Sequence, residues 1–426
     1  MKYFNLSTNQ YDVWFDQKNL VNVPFYVIGW YMSLNILTEK NILINTIKNL
    51  IKFNDGLRVR YAANCDKILQ YFSHNYDFEP NYIDFSKNND PETDAQNYIS
   101  IEMNTPFKIF EEIPYRISII KLKDDHYYIH YCFYHLVIDG MAFYIMQKQF
   151  EDIFYTLSEN KTYIPQRVYS FKNILFKDSE YKISQKFEED KNYWESKFSN
   201  PPENLFSILP DKSIDDFTTT NRMIEVPNNI FNKLSILADE YKISVQHILL
   251  SILYCILINY RNNDIVILLP LHNRDDSDTQ KVIGYLSSSL FLLIKQYDSI
   301  LFKELAVDIR NTLSIDYTHK NYPTSLISEY IVEHLGRDDI FQVLFSYDDF
   351  NKFETKYDTN FTFHKLENDY MNNVIDIYVS NLKFYNNVII DLKFRNSYCN
   401  AEFIDNFSNS FNNFISNISE FMEQPI

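Results

Sequence analysis

A histidine four residues ahead of an aspartate–glycine pair is a spacing that can carry base catalysis. Residues 134–140 read Tyr-His-Leu-Val-Ile-Asp-Gly. An unperturbed imidazole titrates near pH 6.5, so His135 can accept a proton from a nucleophile at neutral pH. Asp139 cannot be buried beside it as a bare ion without a partner. Gly140 lets the backbone turn and come close to a ligand, and its N–H can face a developing oxyanion. The chain keeps only 5 glycines in 426 residues, so a glycine beside an acid and a histidine asks for a reason. Three fixed positions also recur by chance in a chain of this length, and a satisfied core histidine is the plain alternative.

Such a turn needs a strand before it and a helix after it. "YYIHYCFYHL" (127–136) reads as a strand. From Met141 the apolar residues Tyr144, Ile145, Phe150, Ile153 and Phe154 fall largely on one face to Leu157, a helical period. Upstream, 23–36 reads as a strand and 38–53 as a helix. The polar, proline-containing stretch 158–170 is the expected boundary, dividing the chain into 1–165 and 166–426. The second part opens on a charged helix (186–198) and a proline-rich break (200–211). A strand at 222–227 follows, then two helices over 228–260 with Ser244 as the N-cap of the second. Further strands are expected at 264–271, 288–296 and 340–348. Strands and helices mix in both parts, so the fold class is α/β (α+β) in two units of similar size.

Composition bounds the rest. The length exceeds what one hydrophobic core supports. A net charge of −17 repels nucleic acid and anionic membranes, which excludes both as partners. The 35 Phe and 34 Tyr, set against so few glycines, fit a codon bias rather than a site. Cys65, Cys132, Cys255 and Cys399 are far apart and follow no metal or redox spacing; Cys132 and Cys255 lie in apolar runs and belong to the core. A reducing cytoplasm fits. The first residues hold no signal-peptide core, and the longest apolar run (247–260) is too short to span a bilayer.

Six segments add a resemblance. "LSTNQYDVWF" (6–15) resembles the Ser-x-x-Gln-x-x-x-Trp opening of the condensation domains of nonribosomal peptide synthetases. "NDGLRVRY" (54–61) is similar to their His-Glu-x-Leu-Arg-Thr-x-Phe segment, and "YHLVIDG" to His-His-x-x-x-Asp-Gly. "VIGYLSSSL" (282–290), "HKNYPTSLI" (319–327) and "GRDDIFQVLFSYDD" (336–349) are similar to Ile-Gly-x-Phe-Val-Asn-Thr, His-Gln-x-x-Pro-Phe and the Arg-Asp…Leu-Phe-Gln-Val-x-Phe segment. All six occur in the family order, and Gly56, Gly140, Gly284 and Gly336 each lie in one. The resemblance implies two chloramphenicol-acetyltransferase-like lobes in a V, with a tunnel between them and the motif histidine mid-tunnel.

It also implies roles. His135 matches the second, catalytic histidine of the family, a general base or an orienter of the nucleophile. Tyr134 stands where the first histidine is usual; strand alternation points it away from His135, as a packing residue. Asp139 matches an acid that pairs with an arginine. Arg274, ten residues before Gly284, stands in the matching place, and the pair would join both lobes; a solvated loop residue is the alternative. His272 is read as loop surface. Gly284, Ser287 and Ser288 fall on the family's crossover strand, the tunnel floor. Ser288 replaces the usual Asn, and the serines either bond substrate or substitute neutrally, the latter preferred. Gln10, Trp14 and Arg58 are read as structural.

The implied reaction joins an acyl or aminoacyl thioester, held on the phosphopantetheine of an acyl or peptidyl carrier protein, to an amine. That acceptor is free or carrier-bound. The chain has no Gly-Gly, so no Gly-Gly-x-Ser carrier site; it has no P-loop and no Asp-x-x-x-x-Asp of heterocyclising relatives. A free-standing monomer with carriers in trans is expected, with no bound metal or organic cofactor because the thioester supplies the activation. "LRVRY" (57–61) and "KLK" (121–123) are candidate basic patches for acidic carriers. The rival readings are an ester-forming acyltransferase of polyketide or lipid type, a catalytically silent recruitment module and a free-standing epimerase.

Overall fold

The computed structural model describes residues 2–64, 67–75, 78–261, 263–337, 341–349, 360–381 and 387–426. Cys65, and residues 338–340 of the segment 336–349, lie outside the described residues. The chain divides into two compact units of mixed α/β structure. Unit 1 comprises Met1–Ser184, His272–Ser287 and Thr355–Asp369; unit 2 comprises Gln185–Leu271, Ser288–Glu354 and Tyr370–Ile426.

The expected division at 165 is therefore corrected. The chain stays in unit 1 through a further helix, Phe171–Tyr181, and returns to it twice. Hydrogen bonds explain why. Asp55 accepts the Phe171 N–H at 2.7 Å and the Ser170 hydroxyl, which fixes the start of that helix. Asp178, near its end, accepts from the Thr8 N–H at 2.9 Å and from the Thr8 hydroxyl at 2.6 Å. A polar stretch with a proline marks a connection, and a connection need not be a unit boundary.

Unit 1 is built on a five-stranded sheet in the order Phe361–Leu366, Val27–Leu34, His126–Tyr134, Tyr115–Lys123, Asn81–Asp84. Only the last pair is parallel. His126–Tyr134 is buried along almost its whole length because both faces of the sheet are covered. Helix Pro91–Met103 packs on one face, where Tyr98 meets His130. Helix Gly140–Ser158 covers the other, where Phe143 stacks on Trp30 with ring centroids 4.1 Å apart. A strand buried on both faces reads as a continuous apolar run, which is what the sequence displays.

Unit 2 carries a six-stranded sheet in the order Ser288–Ile294, Ile265–Leu271, Val343–Asp349, Ile375–Asn381, Asn387–Arg395, Thr219–Pro227. Val343–Asp349 is parallel to both its neighbours, and the other pairs are antiparallel. Helix Val245–Leu257 is buried around nearly its full circumference, so the long apolar run is a core helix. Ser244 caps it: its hydroxyl accepts the His247 N–H at 3.3 Å, and His247 Nδ1 accepts the Ser244 N–H at 2.9 Å. Among the described residues no single helix is long and apolar enough to cross a membrane.

Candidate active site

Strand His126–Tyr134 ends one residue before His135, and helix Gly140–Ser158 starts one residue after Asp139. Residues 135–139 are thus the expected strand-to-helix turn. Its backbone is held from several sides. The His135 N–H donates to Tyr26 O at 2.9 Å. Leu136 O accepts from the Gln10 amide at 2.9 Å and from the Tyr61 hydroxyl at 3.0 Å. Gln10 is fully buried and also closes the capping box of helix Thr8–Gln17 with Ser7, a structural role.

The ring of His135 is half-buried and has one hydrogen-bond partner, Ile138 O, 2.9 Å from Nδ1. A carbonyl oxygen only accepts, so Nδ1 carries the proton and the neutral ring presents a lone pair at Nε2. Among the described residues nothing bonds Nε2. Two tyrosines meet the ring edge-on: Tyr285, with centroids 5.2 Å apart, and Tyr26, at 6.3 Å. Desolvation lowers the pKa of His135 from 6.5, and the Asp139 charge works against that shift. At neutral pH the imidazole is an unprotonated base.

Asp139 is fully buried and its oxygens are spent elsewhere. Oδ1 accepts the Ala142 N–H at 2.7 Å, an N-cap, and Arg274 Nη2 at 2.8 Å. Oδ2 accepts the N–H groups of Leu286 at 2.8 Å and Ser287 at 3.0 Å. Four donors, one of them charged, offset the cost of burying the carboxylate. Asp139 builds the site and touches His135 only through its field.

The side chain of Arg274 is 2% exposed, so it is no solvated loop residue. The idea that its pair with Asp139 joins two lobes is corrected: His272–Ser287 belongs to unit 1, as Asp139 does. This segment seats against residue 56 by close backbone approach. A Cβ on Gly56 would lie 2.0 Å from Ile283 O, and one on Gly284 would lie 2.5 Å from the Phe171 ring. Neither position admits a side chain. His272 is exposed, and Ser287 serves the site through its backbone N–H. Ser288 is buried and opens strand Ser288–Ile294, paired with Leu271, on the unit 2 side of the crossing.

Gly140 departs from expectation. Its φ is not positive, so the turn itself does not demand glycine. A Cβ there would meet nothing within 4 Å, and the open space in front of it is the feature a larger residue would remove. The N–H groups of Gly140 and Met141 have no acceptor among the described residues, as the first turn of a helix leaves them.

Tyr134 is buried on the side away from His135, near Phe107, and Trp14 packs edge-on against Phe110. The docking patches fare worse. Arg58 Nη1 donates to Ile51 O and Lys52 O, closing the end of helix Lys40–Phe53, and Arg60 Nη1 donates to Val59 O. Lys121 pairs with Asp124 at 2.6 Å. These cations are engaged within their own fold, so "LRVRY" does not form an open basic surface. Among the described residues no group of three or more His, Cys, Asp or Glu is placed to hold a metal.

Sequence reading missed Tyr26, Tyr285 and the backbone donors of Leu286 and Ser287. Tyr26 was within reach: Val27 pairs with Tyr134, so Tyr26 must lie beside His135 once the register is known.

Comparison with known families decides the relationship, because the model of the condensation domain matches residues 2–426. The chain belongs to the condensation domain family. Condensation domains are acyltransferases that form amide bonds in nonribosomal peptide synthesis. The dimodular nonribosomal peptide synthase of Bacillus subtilis (strain 168) is 23% identical over 323 residues, 74% of this chain and 13% of that protein. Surfactin synthase subunit 1 of the same strain is 22% identical over 335 residues, 76% of this chain and 9% of that protein. This condensation domain thus spans a small part of the length of the curated relatives it matches. Among solved structures, a mutant starter condensation domain of rhizomide synthetase RzmA, in complex with C8-CoA and Leu-SNAC, superposes with a TM-score of 0.85 at 17% identity, covering 99% of this chain and 96% of that one. The first condensation domain of the calcium-dependent antibiotic synthetase, in complex with a substrate analogue, gives 0.81 at 14% identity, covering 100% and 98%. These likenesses establish the two-unit acetyltransferase-like fold.

Proposed function

We propose that this condensation domain joins an acyl or aminoacyl thioester, carried on the phosphopantetheine of a carrier protein, to an amine. His135 Nε2 takes a proton from the amine as its nitrogen attacks the thioester carbon. The carbonyl oxygen becomes an oxyanion, and the unpaired N–H groups of Gly140 and Met141 are the donors that receive it. As the tetrahedral intermediate collapses, the C–S bond breaks and the thiolate leaves with the proton held on Nε2. The product is an amide and a free carrier thiol. The thioester supplies the activation, so the reaction calls for no resident metal or organic cofactor.

One observation carries this reading. The Nδ1 bond to Ile138 O fixes the tautomer that offers Nε2 as a base, while Asp139 is wholly committed to holding the turn. The neighbour solved with an acyl-CoA and an aminoacyl thiol ester fits the same substrate classes.

The test is a reconstituted assay with an acyl-loaded carrier protein and, side by side, an amine and an alcohol of matched size. His135→Ala should lower the rate by about 10²- to 10⁴-fold. A rate within about threefold of the unsubstituted protein removes the base role. Faster transfer to the alcohol would replace the amide reading by the ester-forming one.

A further inference from the structure

The strand ends that carry His135 have a second face. Val27 pairs with Tyr134 in the sheet register. One residue along each segment, Tyr26 and His135 meet ring to ring. Successive side chains of a strand point to opposite faces, so Val27 and Tyr134 look away from the imidazole. On their side lies a cavity of about 280 Å³, lined by both of them and by Trp14, Pro24 and Phe107.

The inner wall of the cavity is apolar and holds no ionised group. Lys108 and Glu111, of opposite charge, are exposed and stand at the mouth, beside the exposed apolar side chains of Val21 and Phe110. Two buried polar side chains line the cavity: Gln17, whose amide N–H groups donate to Leu20 O and Val23 O, and Tyr134. Tyr134 is 3% exposed, and its hydroxyl has no hydrogen-bond partner among the described residues. A hydroxyl on a cavity wall with no protein partner is free to donate to a group that fills the cavity. Desolvation raises the phenol pKa, which keeps that donor protonated.

We propose that this cavity is a second ligand site, separate from the His135 face. It takes an uncharged, largely apolar small molecule that offers one oxygen acceptor to the Tyr134 hydroxyl. Filled to the density of a protein interior, the space holds about a dozen non-hydrogen atoms. The absence of a charged group in the inner wall rejects an ionised ligand, whose desolvation nothing there would offset. A medium-chain primary amide has the required length, neutrality and terminal oxygen.

Octanamide is the probe, and Trp14 in the wall is the reporter. Titration into the whole protein should change tryptophan emission saturably, with a dissociation constant on the order of 0.1–1 mM. Trp14→Phe should abolish that change while calorimetry still detects binding. Tyr134→Phe should weaken octanamide about fivefold and leave propylbenzene, which has no oxygen, within about twofold. The unfolding midpoint of Tyr134→Phe should match the parent, because the hydroxyl bonds no other group among the described residues; this separates a lost contact from a damaged fold. No saturable change, a change that survives Trp14→Phe, or equal octanamide affinity in Tyr134→Phe overturns the proposal. The measurement involves no acyl transfer, so its failure leaves the role of His135 untouched, and the reverse holds.

Discussion

Two histidines, one in each unit, invite comparison. In unit 2, His319 Nδ1 lies 2.6 Å from Asp190 Oδ1, with Lys186 on the same oxygen at 2.7 Å. Its ring stacks on Tyr193 with centroids 4.0 Å apart, and its carbonyl accepts from the Trp194 indole at 2.9 Å. In unit 1, His135 Nδ1 meets only a neutral carbonyl, and its ring has edge contacts. By side-chain pairing alone His319–Asp190 is the better-looking dyad, since an acid that orients an imidazole is a familiar catalytic device. The surroundings reverse that ranking. His319 clamps helix Gln185–Lys197 to the turn Tyr317–His319, and its ring face is covered. His135 stands just before a helix N-terminus with unpaired N–H donors and open space at Gly140. A base becomes useful where a reacting group can sit between it and an oxyanion donor, and the open space at Gly140 offers such a place beside His135.

The comparison breaks most visibly in rates. His135→Ala should cost about 10²- to 10⁴-fold in turnover with little change in a denaturant midpoint. His319→Ala should do the opposite. It strips the buried Asp190 of one partner and should cost about 2–3 kcal/mol of stability, while turnover well below the transition stays within about threefold. Equal rate losses would show that the dyad in unit 2 takes part in chemistry.

The carboxylates sharpen the contrast. Asp139→Ala leaves Arg274 buried without its counter-ion and three backbone donors without an acceptor, so a loss of about 3–5 kcal/mol is expected in equilibrium unfolding. Asp190→Ala frees His319 and Lys186, both partly exposed and able to turn to water, and should cost less. If the two variants unfold alike, the four-fold coordination of Asp139 is not what holds its turn.

The sequence made the proposed reactive centre legible but not its support. His135, Asp139 and Gly140 sit in one local segment, and local spacing survives folding. Arg274 was found only through the family resemblance, by its place ten residues before Gly284. The N–H groups of Leu286 and Ser287 leave none, because every residue except proline has one. The return of 272–287 and 355–369 to unit 1 was equally hidden: strand period shows that a segment pairs, not with which sheet. Gly56 was tied to a motif, yet its reason, the Ile283 carbonyl 2.0 Å from where a Cβ would stand, needs the partner's position.

A third histidine extends the contrast to acid. His130 is fully buried in the unit 1 sheet, and neither ring nitrogen has a hydrogen-bond partner among the described residues. Desolvation, with Arg116 adding to it, pushes its pKa from 6.5 down to about 3. Between those values the unfolded chain binds a proton that the folded chain refuses, so stability is intact above pH 6.5 and falls as pH drops below it. The slope is about 1.4 kcal/mol per pH unit from this residue alone. Urea titrations from pH 7 to 4 should show that fall, and His130→Leu should flatten it by that amount. An unchanged slope would mean that the ring finds a way to protonate inside the sheet.

The smallest expected effect on folding separates two glycines. Gly140 opens a 19-residue helix with no positive φ and nothing within 4 Å of a would-be Cβ. Gly140→Ala should therefore leave stability unchanged or raise it by about 0.5 kcal/mol, through the reduced freedom of the unfolded chain. The same change at Gly56 would press a methyl into a backbone carbonyl and should destabilise the protein strongly. If the space at Gly140 is where the thioester carbonyl sits, the alanine variant should fold as well as the parent and still turn over at least about tenfold more slowly, the loss appearing in kcat because the methyl crowds an oxyanion formed only in the transition state. Full activity in a stable Gly140→Ala protein would move the oxyanion donors away from this helix and leave His135 to act without them.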